Sequence, residues 1–197
     1  IYAKLIAACL SNGGFHSVHI PSQEDNAVKE YIRMRDDHVL ELKRTKQQIN
    51  SLCIRFGQVY DGNKWMGPHL KWLRELKLPE LIQETLNEYL ATYDTMIDKI
   101  ARFDKRIQEI AAQSEYYEKV KKLECFLGIK THTALSLIVE TGDFIRFRKG
   151  NIYAAYLGLA PGEHSSSENG GKLGITNAGN SHLRSLLIEA AHGMCRG

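Results

Sequence analysis

The sequence predicts a mainly α chain: a long antiparallel helical hairpin or coiled coil, then a small helical domain with a helix-hairpin-helix-like turn, preceded by a short α/β segment. Three observations carry that prediction. From Ile82 to Ile110, nine apolar positions (Ile82, Leu86, Tyr89, Tyr93, Met96, Ile100, Phe103, Ile107 and Ile110) alternate spacings of four and three, which is a heptad seam. From Glu24 to Phe56 there is neither proline nor glycine, and Val28, Ile32, Val39, Leu42, Ile49, Leu52 and Phe56 recur at helical spacing. After Leu123 the pattern breaks into shorter pieces rich in glycine and turn residues. The boundaries drawn from these are 1–22, 23–124 and 125–197.

In chain order, Tyr2 to Leu10 reads as a helix apolar on most sides, and Phe15, Ser17 and Val18 as a short strand closed by Pro21. The Glu24–Phe56 helix presents Arg33, Arg35, Lys43, Arg44 and Lys46 beside Asp36, Asp37 and Glu41, the mixed charge of a solvated face. A break over 57–68 turns the chain back, and Trp65 and Trp72 read as packing anchors. The heptad helix, extended through Tyr117 to Leu123, would span ~60 Å. Its partner is the Glu24–Phe56 helix of the same chain, the equivalent helix of a second chain, or both in a four-helix dimer. Gly128 and Ile129 precede an amphipathic run with Ala134, Leu135, Ile138 and Val139 on one face. This suits a backbone turn that contacts phosphate at Gly128 and Lys130, or a helix start packed in a small core. Arg146, Arg148 and Lys149 form a basic patch ahead of a short helix capped by Asn151 and bearing Ile152, Ala155 and Tyr156. The last helix starts at Asn180 or Ser181. Leu183, Leu186, Leu187, Ala190, Ala191 and Met194 make its core face.

Composition narrows the functional classes. A formal charge of +3 neither announces nor opposes nucleic acid. No apolar run of ~18 residues exists and the first residues lack the layout of an export signal, so a cytoplasmic chain with no membrane partner is expected. Cys9, Cys53, Cys125 and Cys195 stand apart with no ligand spacing, which speaks against zinc and disulfides and for buried thiols. The stretch Leu157–Arg184 is the site-like one. It joins Ser165, Ser166 and Ser167 to a glycine-rich turn and a polar helix start carrying Arg184. A cation in the first turn of a helix is disfavoured by the macrodipole, and a bound phosphate would relieve that.

The runs TALSLIVETGDFIRF, YAAYLGLAP and HSSSENGGKLGITNAGNSHLRSLLIEAA, with KWMGPHLKWLRELKL and the heptad helix, resemble insertion-sequence transposases that use a serine nucleophile and are related to the Piv invertase. The resemblance implies a DNA recombinase that works through a phosphoserine intermediate. An amino-terminal RuvC-like domain with four acidic residues, holding Mg²⁺, would be joined by a coiled coil to the serine-bearing domain. A guide (bridge) RNA and a homodimer or higher oligomer are implied with it. No cofactor or metal ligand is expected within this chain, and the fragment alone is expected to be inactive. The nucleophile falls on Ser166, with Ser165 its neighbour and Ser167 where the family has glycine. Arg184, Lys172, Asn180, Gly174 and Gly179 fall near the phosphate. The family lysine after GIT is Asn177, and Tyr2 stands where a final aspartate aligns, so none of the four acidic residues is expected here. The competing class is a non-catalytic DNA-binding and dimerisation module built from Gly128, Lys130, the Arg146–Lys149 patch and the heptad helix.

Overall fold

The structure is a computed structural model that describes residues 2–13, 20–164 and 171–196. It is mainly helical, 72% helix with two short strands, in agreement with the predicted class. Helix α1, Tyr2–Ser11, forms as expected, but Tyr2, Leu5, Ile6 and Leu10 are exposed. The predicted strand at Phe15, Ser17 and Val18 lies outside the described residues.

Helix α2, Gln23–Arg55, begins where Ser22 is extended and its hydroxyl accepts the Asp25 N–H at 3.0 Å. It ends at Phe56, ahead of Gly57 in the left-handed region at φ 69°. Helix α3, Gly67–Glu75, carries Pro68 in its first turn, where a missing N–H costs nothing. Helix α4, Glu80–Ala111, follows Pro79.

Helices α2 and α4 pack against each other within one chain. The early part of α2 meets the late part of α4, with Ile32 in one cluster with Ile107 and Ile110. The late part of α2 meets the early part of α4, where Leu42, Ile49, Leu52 and Cys53 pack with Leu86, Leu90, Tyr93 and Leu73 of α3. The hairpin is therefore antiparallel. Trp65 stacks on Tyr93 at 5.4 Å, with the Lys46 ammonium 5.3 Å from its ring centroid, and Trp72 stacks on buried His69 at 5.7 Å. The tryptophans are packing anchors, as expected. The Trp65 backbone N–H donates to His69 Nδ1 at 3.0 Å, which leaves that imidazole neutral with its proton on Nε2; burial lowers its pKa.

Three local expectations need correction. The heptad helix does not run unbroken to Leu123: it stops at Ala111, and α5, Tyr117–Glu124, starts afresh. Between them Tyr116 is buried and its hydroxyl donates to Asp25 Oδ1 at 2.9 Å, so the break is pinned to the start of α2. Of the cysteines, Cys53 alone is buried; Cys9, Cys125 and Cys195 are exposed free thiols, Cys125 in the turn that ends α5. Asn151 is not a cap, because α7, Gly150–Tyr156, starts after Lys149. On that helix Tyr153 makes the packing contacts while Ile152 is exposed.

The remaining elements are α6, Thr131–Thr141, a 3-10 turn at Phe144–Arg146, α7, an antiparallel pair β1 (Pro161–His164) and β2 (Gly171–Ile175), and α8, Ser181–Arg196. Helix α6 is the buried spine. Its Ala134, Leu135, Ile138 and Val139 face the hairpin cluster, and Leu137 packs with Leu157 and Leu183 on the other side.

Leu86 has no exposed surface and lies where three helices of the distal hairpin meet. Leu86→Ala is expected to lower unfolding free energy by about 3 kcal/mol, measured as a shift in urea midpoint at unchanged slope.

Candidate functional site: a loop-bearing hairpin braced on buried charges

The serine stretch is the connection between β1 and β2. Ser165, Ser166 and Ser167 fall outside the described residues, so the structure describes what holds the loop's ends. The strands pair with Pro161 opposite Ile175, Glu163 opposite Lys172 and His164 opposite Gly171, with an irregularity between the first two pairs. Reading that stretch from sequence as loop alone missed this hairpin, because PGEH and GKLGI have little β-branched content.

Below the strands, two backbones cross at van der Waals contact. Gly158 is at φ 73°, and a Cβ there would lie 2.3 Å from the Ala178 carbonyl oxygen. Gly179 is at φ 131°, and a Cβ there would lie 2.3 Å from the Tyr156 carbonyl oxygen. Both glycines are thus demanded by packing and by backbone angle. The Thr176 N–H donates to the Ala160 carbonyl at 3.0 Å and the Asn177 N–H to the Gly158 carbonyl at 3.2 Å. Asn177 sits at φ 55°, a left-handed position that asparagine accepts more readily than lysine.

The other predicted residues separate. Arg184 does not point free toward the loop: its Nη1 donates to the Leu157 carbonyl at 2.7 Å, bracing the base of the strands. Asn180 caps α8, its Oδ1 accepting the Leu183 N–H at 3.1 Å. Gly174 borders open space. Gly128 is at φ 86° with its α-carbon against α8, a Cβ there falling 2.3 Å from the Ala190 carbonyl oxygen, which matches the packed-turn alternative. Lys130 is exposed at the start of α6. Arg146 lies over Phe147 at 4.5 Å and Tyr156 at 4.8 Å and donates to the Thr141 carbonyl at 2.8 Å, so its guanidinium is already engaged. Arg148 and Lys149 are exposed.

Sequence reasoning missed the strongest electrostatic feature. The Glu140 side chain, 4% exposed, accepts four donors: Arg33 Nε at 2.8 Å and Nη2 at 2.9 Å, Asn180 Nδ2 at 2.6 Å, and His182 Nδ1 at 3.2 Å. His182 Nε2 in turn faces Asp36 Oδ2 at 2.8 Å. Asp36 also accepts Arg35 Nη1 at 3.0 Å, while Arg35 Nε donates to Asp104 at 2.7 Å. His132 Nε2 lies 2.9 Å from Asp36 Oδ1 but is poorly aligned for a hydrogen bond, so it contributes as a close polar contact rather than a bonded donor.

Each nitrogen of His182 meets a carboxylate, so the imidazole carries both protons. Hydrogen bonds to Asp36 and Glu140 outweigh burial and push its pKa up to about 9. Burial alone would raise Glu140, but His182, Arg33 and Asn180 hold it down to about 2. Burial opposes ionisation of Asp36 in the same way. The His132 and His182 imidazoles and Arg35 overcome it and keep Asp36 well below the usual carboxylate range. The cluster joins α2, α4, α6 and the start of α8, which follows the serine loop. The sequence signal was present: Glu140 ends an otherwise apolar helix, and His182 stands inside the GNSHLR run.

The described elements make up a helical domain in which a glycine-braced strand pair flanks the serine stretch, and which docks onto a helical hairpin through ion pairs centred on the buried Glu140 carboxylate. Residues 120–196 match the Transposase IS116/IS110/IS902 family. The transposase for insertion sequence element IS1533 of Leptospira borgpetersenii is 36% identical over 133 residues, covering 66% of this chain and 38% of that protein. The transposase for IS1111A of Coxiella burnetii is 25% identical over 195 residues, covering 98% of this chain and 54% of that protein. The chain spans about half the length of the curated relatives it matches. Among the described residues, no helix is long and apolar enough to cross a membrane.

Two outcomes follow. His182 gains protons on folding, so its stabilisation is complete below pH 6.5 and is lost as pH rises through about 9. The urea midpoint should fall between those values in the wild type, and the fall should be markedly smaller in His182→Gln. Gly179→Ala should destabilise the chain by more than 1 kcal/mol, about the size of a forced left-handed strain, whereas Gly174→Ala should leave the thermal midpoint nearly unchanged.

Proposed function

We propose that this chain supplies the hairpin and serine-bearing part of a DNA transposase of an insertion sequence, in which Ser166 is the nucleophile. The supporting observation is that the transposase family match spans the β1–β2 connection, whose ends are held by Gly158, Gly179 and Arg184.

In the proposed reaction the Ser166 Oγ attacks a DNA phosphorus. The Oγ–P bond forms as Oγ gives up its proton, the bond from phosphorus to the leaving deoxyribose oxygen breaks, and that oxygen takes up one proton to become a hydroxyl, so the step is proton-neutral. The phosphoserine link conserves the energy of the phosphodiester, and a DNA hydroxyl later reverses the step on a new partner. Charge grows on the non-bridging phosphate oxygens, and donors already aimed there lower the barrier most. Lys172 and the backbone around Gly174 are the candidates in β2. Arg184 acts one step back, by fixing the Leu157 carbonyl from which the strands spring. The Glu140 cluster serves the same end by setting the start of α8.

Mg²⁺ belongs, in this reading, to a RuvC-like domain that acts with this chain. Among the described residues, no group of three or more His, Cys, Asp or Glu side chains is placed to hold a metal ion, so no step is routed through one. Guide RNA and homo-oligomeric assembly through the hairpin are part of the same proposal.

The test is Ser166→Ala in the full-length enzyme with labelled element-end DNA. The covalent protein–DNA adduct, read on a denaturing gel, should vanish while DNA and RNA binding persist. An adduct of undiminished yield overturns Ser166, and persistence in the triple Ser165, Ser166 and Ser167 alanine variant points to the non-catalytic binding module instead.

A further inference from the structure

The hairpin is electrically divided. Residues 42–79 carry eight Lys or Arg against Asp61 and Glu75, while residues 80–98 carry five Asp or Glu and no Lys or Arg. Distal α2 and α3 are therefore basic and the first half of α4 is acidic.

Along α2 the side chains Arg44, Gln47, Gln48, Ser51 and Arg55 are all exposed, and with Tyr89 of α4 they line a groove of about 390 Å³. Their spacing (i, i+3, i+4, i+7, i+11) makes one continuous stripe on a helix. Among the described residues neither arginine enters an ion pair, in contrast to Arg33, Arg35 and Arg74. The α4 side of the groove is also free of carboxylates. At about 100° per residue, Glu80, Glu84, Asp94 and Asp98 lie roughly 140–180° round the helix from Tyr89 and Glu88 about 100°, while Thr85, Thr92 and Met96 share the face of Tyr89.

We infer that this groove is a binding site for the phosphodiester backbone of a nucleic-acid duplex, separate from the serine loop. The composition is what such a backbone takes. Arginines supply the charge, while glutamine, serine and tyrosine side chains donate hydrogen bonds to phosphate and sugar without reading sequence. The two guanidiniums are anchored ~16 Å apart along α2, a length over which B-form DNA presents about ten phosphate charges. The acidic flank of α4 on the far side would repel the same ligand, so the duplex is confined to one side of the hairpin. A second copy of the chain is the rival occupant, since its acidic α4 flank has the opposite charge.

The test compares Arg44→Gln/Arg55→Gln with Arg102→Gln/Lys105→Gln, which removes equal charge from exposed sites outside the groove. The full chain is titrated with fluorescein-labelled DNA and RNA duplexes of about 20 base pairs across ~50–200 mM salt. The groove variant should bind about tenfold more weakly and lose about 2 from the slope of log K against log salt on B-form DNA, with the control variant close to wild type. If the loss is confined to one duplex, that duplex is the ligand and the site stands. Equal losses in the two variants, or no loss in the groove variant, overturn it. Unchanged duplex binding with a smaller sedimentation coefficient for the groove variant assigns the surface to a second copy and likewise overturns it. Both variants are exposed and should keep the wild-type circular dichroism. Ser166→Ala should bind through the groove normally, so failure here and failure of the serine assignment are read separately.

Discussion

Glu140 is the residue on which the relation between the two halves of the described structure turns. Its carboxylate is buried, and a buried charge is tolerated only when donors replace water around it. Arg33 provides two of those donors from α2, Asn180 provides one from the start of α8, and His182 provides another while reaching on to Asp36. A single side chain at the end of α6 therefore sets the distance and rotation between hairpin and loop-bearing domain. Ion pairs of this kind add little net stability over apolar packing, but they penalise a misdocked arrangement, because each misplaced donor leaves the buried Glu140 carboxylate short of a partner.

Apolar packing does the bulk stabilising on either side of that joint. Helix α6 is buried on nearly all faces, sharing Ile32 and Ile107 with the hairpin and Leu183 with α8. The junction is thus a core with a polar seam through it, and the seam runs toward the strand pair. At that end the backbone itself does the positioning. Gly158 and Gly179 let the two chain segments meet at carbonyl–Cα distance, and Arg184 ties α8 to the Leu157 carbonyl. The arginine that looks ill-placed against a helix dipole has a carbonyl oxygen, rather than an anion, as its partner.

The far end of the hairpin follows other rules. There the aromatic stack of Trp65, Tyr93, His69 and Trp72 closes the turn, and charge is largely segregated between helices, with the Arg74–Asp94 pair tying α3 to α4. A hairpin meant only as a spacer has no need of that segregation, since mixed charge solvates a helix face equally well.

The sequence by itself determined the helical class, the extent of α2 and the start of α8 to within a residue or two, and the stretch that bears the candidate nucleophile. Those features are local: periodicity, caps and breakers act within a turn or two of their own residues. Tertiary structure alone decided that α4 packs on α2 of the same chain, the break at Tyr116, which is held by Asp25, and the role of Arg184. It also decided the strand pair flanking the serines and the charge cluster that joins Asp36, Glu140 and His182. Asp36 and His182 are 146 positions apart, and no spacing rule links residues whose meeting depends on three helices packing first. The serine stretch was recognisable from its composition, whereas the brace that holds its ends came from contacts no linear pattern encodes.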